Sequence, residues 1–497
     1  MTLSASRRWW VLAVLCLTLF LTVLDNTVVN IAIPSIIEQL GATTAQIQWM
    51  VNAYTVAVGC LSVVAGGVAD LVGYRTTWLA GLALFGVGSA VATTATEPVQ
   101  LIAARAGMGI GGACIIPATL AVLTRVFPEQ QRPKAIGIWT AVAAGGQALG
   151  PVIGGALLAR FSWPAVFAIN IPIAVVCLVF ARSLVPEFRG PRGRRPDVVG
   201  ALLSAGAMVS IGWAIIAGPG RGWASPAVLG ALGVGALLLA AFVRQEKRTH
   251  EPMLDMALFR VPAFRLSVIT SLLAAFGLAG SIFLLTQHLQ LNHGYTPLEA
   301  GLRTMPMALG LLVCGSVVSA RVGARLGAAR GITTGMCLAA SGLAVIALVP
   351  PSAGYAALAP GLVAAGCGLG IAGPLVTNAL VSSVPPEQTG AASGVSGMVH
   401  ETGASLGVAV LGAVSAALFT WRSPAGLAAG SLPEALSRAR SPEQAEGARA
   451  AFVDAIGAAQ LTGAVLVAAC GLVAWFLPRT APATAAGATT TTGGQQQ

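Results

Sequence analysis

The sequence predicts an all-α integral membrane protein that crosses the bilayer fourteen times. Composition is the first reason: 56% of the 497 residues are hydrophobic and only 9% are charged, where a soluble domain carries about 25%. Mean hydropathy is correspondingly high, at +0.81. Length is the second, because apolar runs of roughly 20 residues, enough to span hydrocarbon as a helix, recur along the chain. The third is that Lys and Arg gather in alternate connecting loops.

Spans are expected near 9–33, 47–69, 76–95, 98–124, 135–158, 164–183, 198–218, 224–243, 263–286, 302–320, 331–349, 355–380, 390–420 and 455–478. Six precede a basic stretch at 182–197, two follow it, and six follow a second basic stretch at 244–260. The expected organisation is therefore an N-terminal six-helix bundle over 1–190 and two extra spans with basic linkers over 191–250. A C-terminal six-helix bundle over 251–480 follows, carrying a polar helical excursion at 420–455. The low-complexity tail 481–497 is expected to be disordered. The first run, RRWWVLAV onward, is too long for a signal-peptide core and reads as a span.

With the N-terminus inside, twenty of the 28 Lys and Arg fall on the cytoplasmic side, seven outside, and Arg105 within a helix. Both termini are thus expected in the cytoplasm, with the chain in the cytoplasmic membrane. Those loops account for the net charge of +11, so no nucleic-acid partner is expected. The eight cysteines are isolated within spans, without CxxC spacing, and imply neither metal nor disulfides. Only two lysines exist, Lys134 and Lys247, and neither sits in GxxxxGK[ST], so no ATP-binding P-loop is present. GMGIGG (107–112), GLGIAG (368–373) and GASLG (403–407) match soluble-enzyme patterns without the strands that give those patterns meaning. No catalytic constellation and no cofactor are expected.

The informative residues are the polar ones inside spans. Asp25 lies about 16 residues into the first span, roughly 24 Å from its cytoplasmic end. Arg105 lies about 7 residues into the oppositely directed fourth span, roughly 10 Å below the outer surface, at similar depth. A lone charge there costs at least about 2.5 kcal/mol, so the two are expected to meet. They either toggle with protonation of Asp25 or form a permanent pair tying two helices together. Glu401, beside His400, is a second candidate proton carrier roughly 17 Å into its span. Asn30, Asn52, Gln147, Asn378 and His400, with Tyr54 and Trp139, are candidates for lining a central cavity, or for interhelical contact. In the fifth span Gly146, Gly150 and Gly154 recur every four residues beside Gly155, leaving a bare ridge for a neighbouring helix, while Pro151 bends the axis.

These segments resemble the motifs of one family. GIWTAVAAGGQALGPVIGG (137–155) is similar to the antiporter motif of the major facilitator superfamily, and LDNTVVNIAIP (24–34) to the first-helix motif of its drug:proton antiporters. GGVADLVGYR (66–75) resembles the loop motif after the second helix through Gly66, Asp70, Gly73 and Arg75, although Leu71 and Tyr74 stand where basic residues are usual. LIAARAGMGIGGA (101–113) resembles the fourth-helix motif, and SWPAVFAINIP (162–172) the start of the sixth helix, with Pro164 replacing the common Arg. SARVGARLGAAR (319–330) echoes the 66–75 loop in the second half without its aspartate, as a duplicated six-helix unit would.

The resemblance covers almost the whole chain. It implies the major facilitator fold, two six-helix bundles plus two extra central helices (14 TM), and proton-coupled export of hydrophobic drugs or natural products. It also implies conformational roles for the 66–75 loop and the fifth-helix glycines with Pro151, while proton coupling by Asp25, Arg105 and Glu401 is expected from their place inside the spans. The expected partners are a small-molecule drug or natural product, protons and the lipid bilayer, with no obligate protein partner. Proton-coupled uptake of a peptide or sugar is the alternative within the superfamily, and a non-transporting membrane sensor the alternative outside it.

Overall fold

A computed structural model describes residues 4–128, 131–189, 197–249, 252, 256, 258–349, 353–381, 383, 389–423 and 432–477. Long helices dominate. The N-terminal half holds α1 (Ala5–Leu40), α2 (Thr44–Val72), α3 (Tyr74–Thr93), α4 (Pro98–Val126) and α5 (Arg132–Leu158), then a broken span of α6 (Ala165–Ala168) and α7 (Asn170–Leu184). Next come α8 (Val198–Arg221) and α9 (Pro226–Glu246). The C-terminal half holds α10 (Pro262–Gln287), α11 (Pro297–Val313), α12 (Ser319–Leu326), α13 (Ala328–Leu348), α14 (Tyr355–Val381), α15 (Thr389–Arg422), the short α16 (Leu432–Arg438) and α17 (Pro442–Trp475).

Thirteen helical stretches among the described residues are long and apolar enough to cross a membrane, α11 and α12 counting as one through an intervening π turn. The 27-residue α5 occupies the place of the expected fifth span. The chain is a multi-pass membrane protein. Two details depart from the sequence reading. The sixth span is interrupted at Ile169, so that Asn170 begins a new helix. The last helix starts thirteen residues before the expected span, because Ser441 caps it by accepting from the Gln444 amide, and the excursion keeps only α16 as a separate helix. The tail expected to be disordered lies outside the described residues.

Local chemistry fixes the helix ends. Thr43 and Gln46 form a capping box opening α2, and Thr296 and Glu299 form another opening α11. Gly41 closes α1 at φ 62°, a left-handed conformation that glycine adopts without strain.

Within the first half α1 packs on α5 and α7, and α4 packs between α2 and α3; in the second, α10 packs on α15 and α17, and α13 on α14 and α17. The halves meet through α5 against α11 and α2 against α15. Glycines allow both approaches: a Cβ on Gly155 would stand 2.6 Å from Leu298 Cα, and one on Gly59 would stand 2.8 Å from Glu401 Cβ. Gly412 of α15 likewise receives the Gln48 side chain of α2. Near the same end Gln290 donates to the Ile31 carbonyl at 3.0 Å, joining α1 to the turn after α10. Leu298, Gln48, Gly412 and Gln290 all lie toward the membrane face opposite the N-terminus, so the halves are closed on that side. Helix α8 lies along the α2–α15 seam, with Met208 Sδ 3.3 Å from Cys60 Sγ and 3.6 Å from Thr402 Oγ1, and α9 packs on α8.

Candidate functional site

The buried charges of α1 and α4 meet. Asp25 is 1% exposed and Arg105 0%, and guanidinium Nη1 forms an ion pair and hydrogen bond with Asp25 Oδ2. Two further contacts hold the arginine. Its Nε donates to the Met50 carbonyl of α2 at 3.3 Å, and its guanidinium carbon stands 4.4 Å from the centroid of the Tyr54 ring, a cation–π contact. Nη2 has no hydrogen-bond partner among the described residues.

The other carboxylate oxygen has its own donor. Asn170 Nδ2 donates to Asp25 Oδ1 at 2.7 Å and lies 3.3 Å from Ser89 Oγ of α3. Both Asn170 and Ser89 are 0% exposed. Helices α4 and α7 therefore reach the α1 carboxylate directly, and α2 and α3 hold the two side chains that do so. Glycines let α4 come close enough: a Cβ on Gly109 would meet the Tyr54 carbonyl at 2.6 Å, and Gly81 and Gly111 face each other across α3 and α4. The break at Ile169 puts Asn170 in the first turn of α7, from which its side chain reaches across to α1.

The second candidate acid stands in a different setting. Glu401 is half-buried on α15 against Gly59 and makes no hydrogen bond or ion pair among the described residues. Tyr54, whose ring carries the Arg105 guanidinium, stands on α2 five residues before Gly59, the glycine that faces Glu401. His400, Gln147 and Asn378 present accessible side chains, while Asn30 and Trp139 are half-buried. Asn30 Nδ2 donates back to the Asn26 carbonyl of its own helix at 3.3 Å. Asn52 and Tyr54 are buried, at 2% and 3% exposure. Gly146 and Gly154 pack against Val23 and Val28 of α1, and Gly150 against Thr27, so the bare ridge of the fifth span serves α1; Gly155 and Pro151, on another side, meet α11.

The 66–75 loop is held from an unexpected direction. Asp70 accepts from the Tyr74 hydroxyl, and the Arg125 guanidinium donates to that hydroxyl at 3.1 Å, its carbon 4.4 Å from the Tyr74 ring centroid. Arg75 pairs with Glu187 at 3.6 Å, and Glu187 also accepts from the Arg75 and Thr76 amides at 2.9 and 3.1 Å, capping α3. Gly73, at φ 124°, leaves room for that carboxylate: a Cβ there would lie 2.6 Å from Glu187 Cδ. Gly66 faces open space.

Sequence reading paired Asp25 with Arg105 but gave no site role to Asn170, Ser89, Met50 or Glu187. For Asn170 a signal existed, an amide standing alone in the apolar run AVFAINIPIAVV. For Glu187 there was none, since its partners are 111 and 112 residues distant.

Comparison with known proteins follows the same lines. A sequence profile described as Major Facilitator Superfamily matches residues 15–408 and, overlapping, 268–493. The multidrug efflux pump LfrA of Mycolicibacterium smegmatis is 36% identical over 490 residues, covering 95% of this chain and 96% of that protein. The tetracenomycin C resistance and export protein of Streptomyces glaucescens is 34% identical over 411 residues, covering 82% of this chain and 76% of the relative. Among solved structures, a bacterial homolog of the human lysosomal transporter Spinster, inward-facing and unoccupied, superposes with a TM-score of 0.68 at 17% identity, over 95% of this chain and 97% of that one. That last likeness is one of fold.

Proposed function

The chain belongs to the major facilitator superfamily, and from that premise we propose that it exports hydrophobic drugs or natural products across the cytoplasmic membrane in exchange for protons. The export half of this reading is supported by relatives named for multidrug efflux and for tetracenomycin C resistance and export. The proton half rests on one observation: a carboxylate 1% exposed, held by an arginine and an amide that reach it from other helices.

Such an acid is costly in a membrane interior unless its charge is matched. Protonation of Asp25 removes the attraction to Arg105 and so changes the relative stability of the arrangements of α1 and α4. An ion can bias a conformational equilibrium only through such a difference between states. In the orientation expected from the loop charges, with both termini cytoplasmic, the closed side of the structure is the outside. The two units, 1–190 and 251–480, rock about the α2–α15 and α5–α11 contacts, with 191–250 at their flank. The 66–75 loop, through Gly66, Asp70, Gly73 and Arg75, governs the cytoplasmic side.

Substrate occupies the space between the units, lined by Gln147, Asn378 and His400 with Asn30 and Trp139, while the buried Tyr54 and Asn52 connect it to Asp25. Glu401, beside this space and without a hydrogen-bond or ion-pair partner among the described residues, is the second proton carrier or a contact for substrate. A drug-susceptibility panel in an efflux-deficient host, repeated with a protonophore and with Asp25→Asn, tests the reading. Raised tolerance that both treatments abolish supports it, and tolerance indifferent to both overturns it.

A further inference from the structure

The Asp25–Arg105 pair carries the proton-coupled reading; the amide on the opposite carboxylate oxygen has no part in its coupling step, although Asn170 stands in the segment that resembles the sixth-helix motif. Asn170 is fully buried, donates to Asp25 Oδ1 at 2.7 Å and touches Ser89 Oγ at 3.3 Å, while its own Oδ1 has no partner among the described residues. An ionised carboxylate only accepts, so beside Asp25 paired to Arg105 the amide must present its NH2. A protonated carboxyl carries one donor, and then the same position requires an acceptor.

We propose that Asn170 is a positioning residue that reads the protonation state of Asp25 by reversing its side-chain amide, with Ser89 rotating its hydroxyl in step. The inference rests on the proton-coupled reading of Asp25. A proton adds to Asp25 Oδ1 and turns the carboxylate into a carboxylic acid, while the guanidinium keeps its charge and its bond to Met50. Asn170 Oδ1 then replaces Nδ2, accepting from the new O–H and from the Ser89 hydroxyl, which donates where it had accepted. One amide atom lacks a partner in each state, Oδ1 before and Nδ2 after, so the two states carry a similar penalty and neither traps the proton. A leucine here would serve neither state, and an arginine or lysine only the ionised one.

The titratable groups nearest Asp25 among the described residues are Arg105 of α4 and, across the guanidinium, Tyr54 of α2, while Glu401 of α15 packs against Gly59 of α2. The described contacts from α3 and α7 are the uncharged Ser89 and Asn170. Removing the amide takes a charge-assisted hydrogen bond from the ionised carboxyl but only a weaker, neutral one from the protonated acid and leaves the charge environment unchanged, so the acid should take up its proton at higher pH.

Infrared titration of the purified full-length protein tests this without needing a substrate. The carboxylic-acid band of Asp25 is assigned by its loss in Asp25→Asn. In Asn170→Leu its midpoint should move up by roughly one pH unit, the difference in worth between a hydrogen bond to a charged group and one to a neutral group. Ser89→Ala, a smaller change that keeps the fold if the leucine variant fails, should move it the same way by less. Midpoints unmoved in the folded variants, or the absence of any titrating band lost in Asp25→Asn, would overturn the proposal. Transport assays distinguish its failure from that of the wider reading, since wild-type export can depend on ΔpH while these midpoints stay fixed.

Discussion

Asp25 and Glu401 are both acids within membrane-spanning helices, yet the protein treats them differently. Asp25 is enclosed within its own unit, with an arginine on one oxygen, an amide on the other and a tyrosine ring over the arginine. Glu401 lies half-buried at the seam between the two units, faces a glycine, and has no polar partner among the described residues. The contrast separates two costs. Enclosure supplies compensation for charge, but ties the acid's ionisation to the packing of its own unit. Placement at a seam leaves the acid free to change partners when the units move. The first arrangement suits a switch read by the fold, the second a group that meets substrate or protons directly.

The largest expected effect breaks the first arrangement. Arg105→Leu strands a buried carboxylate and should cost about 3–5 kcal/mol, seen as a collapse of the thermal unfolding midpoint in detergent. Glu401→Gln breaks no fixed contact and should stay within roughly 0.5 kcal/mol of wild type. Equal losses in the two variants would remove the distinction.

Next in size is an effect on coupling rather than folding. Asp25→Asn keeps an acceptor for Arg105 but cannot ionise. A gradient of one pH unit is worth about 1.4 kcal/mol per proton, or tenfold accumulation, and this variant should lose that accumulation while still equilibrating substrate. Glu401→Gln sharpens the comparison: its expected signature is an altered substrate range in a susceptibility panel, with ΔpH-driven accumulation retained for some compounds.

The seam itself gives a smaller effect. Gly155→Val puts side chain against Leu298 Cα and Pro297 O, backbone atoms that cannot yield. It should therefore hold the units apart on the side opposite the N-terminus and raise the labelling rate of a cysteine introduced beside Gln48. Gly59→Ala, which adds a single carbon 2.8 Å from Glu401 Cβ, should have the milder consequence. The smallest change belongs to the surface: breaking the exposed Glu434–Arg438 pair with Glu434→Gln should alter stability by no more than about 0.5 kcal/mol.

The sequence made the spans legible, because hydrocarbon thickness imposes a length and loop charge an alternation, and both are properties of a one-dimensional string. The Asp25–Arg105 pair was legible for a related reason: two charges of opposite sign at equal depth in adjacent spans have few other places to go. The donor from Asn170 was not, since its effect depends on a helix break at Ile169 that turns an apolar-looking span toward α1. Nor was the cap that Glu187 places on α3, formed between segments over a hundred residues apart. The glycine ridge of α5 announced close packing, but only the fold shows that Gly146, Gly150 and Gly154 serve α1 while Gly155 serves α11.

The most direct test of proton-driven export through Asp25 is flux in proteoliposomes of defined orientation, using a compound chosen from the susceptibility panel. Wild-type protein should concentrate it about tenfold for each imposed pH unit per exchanged proton, and Asp25→Asn should bring it only to equilibrium. Uphill movement that ignores the pH gradient, or that persists unchanged in Asp25→Asn, would contradict the account.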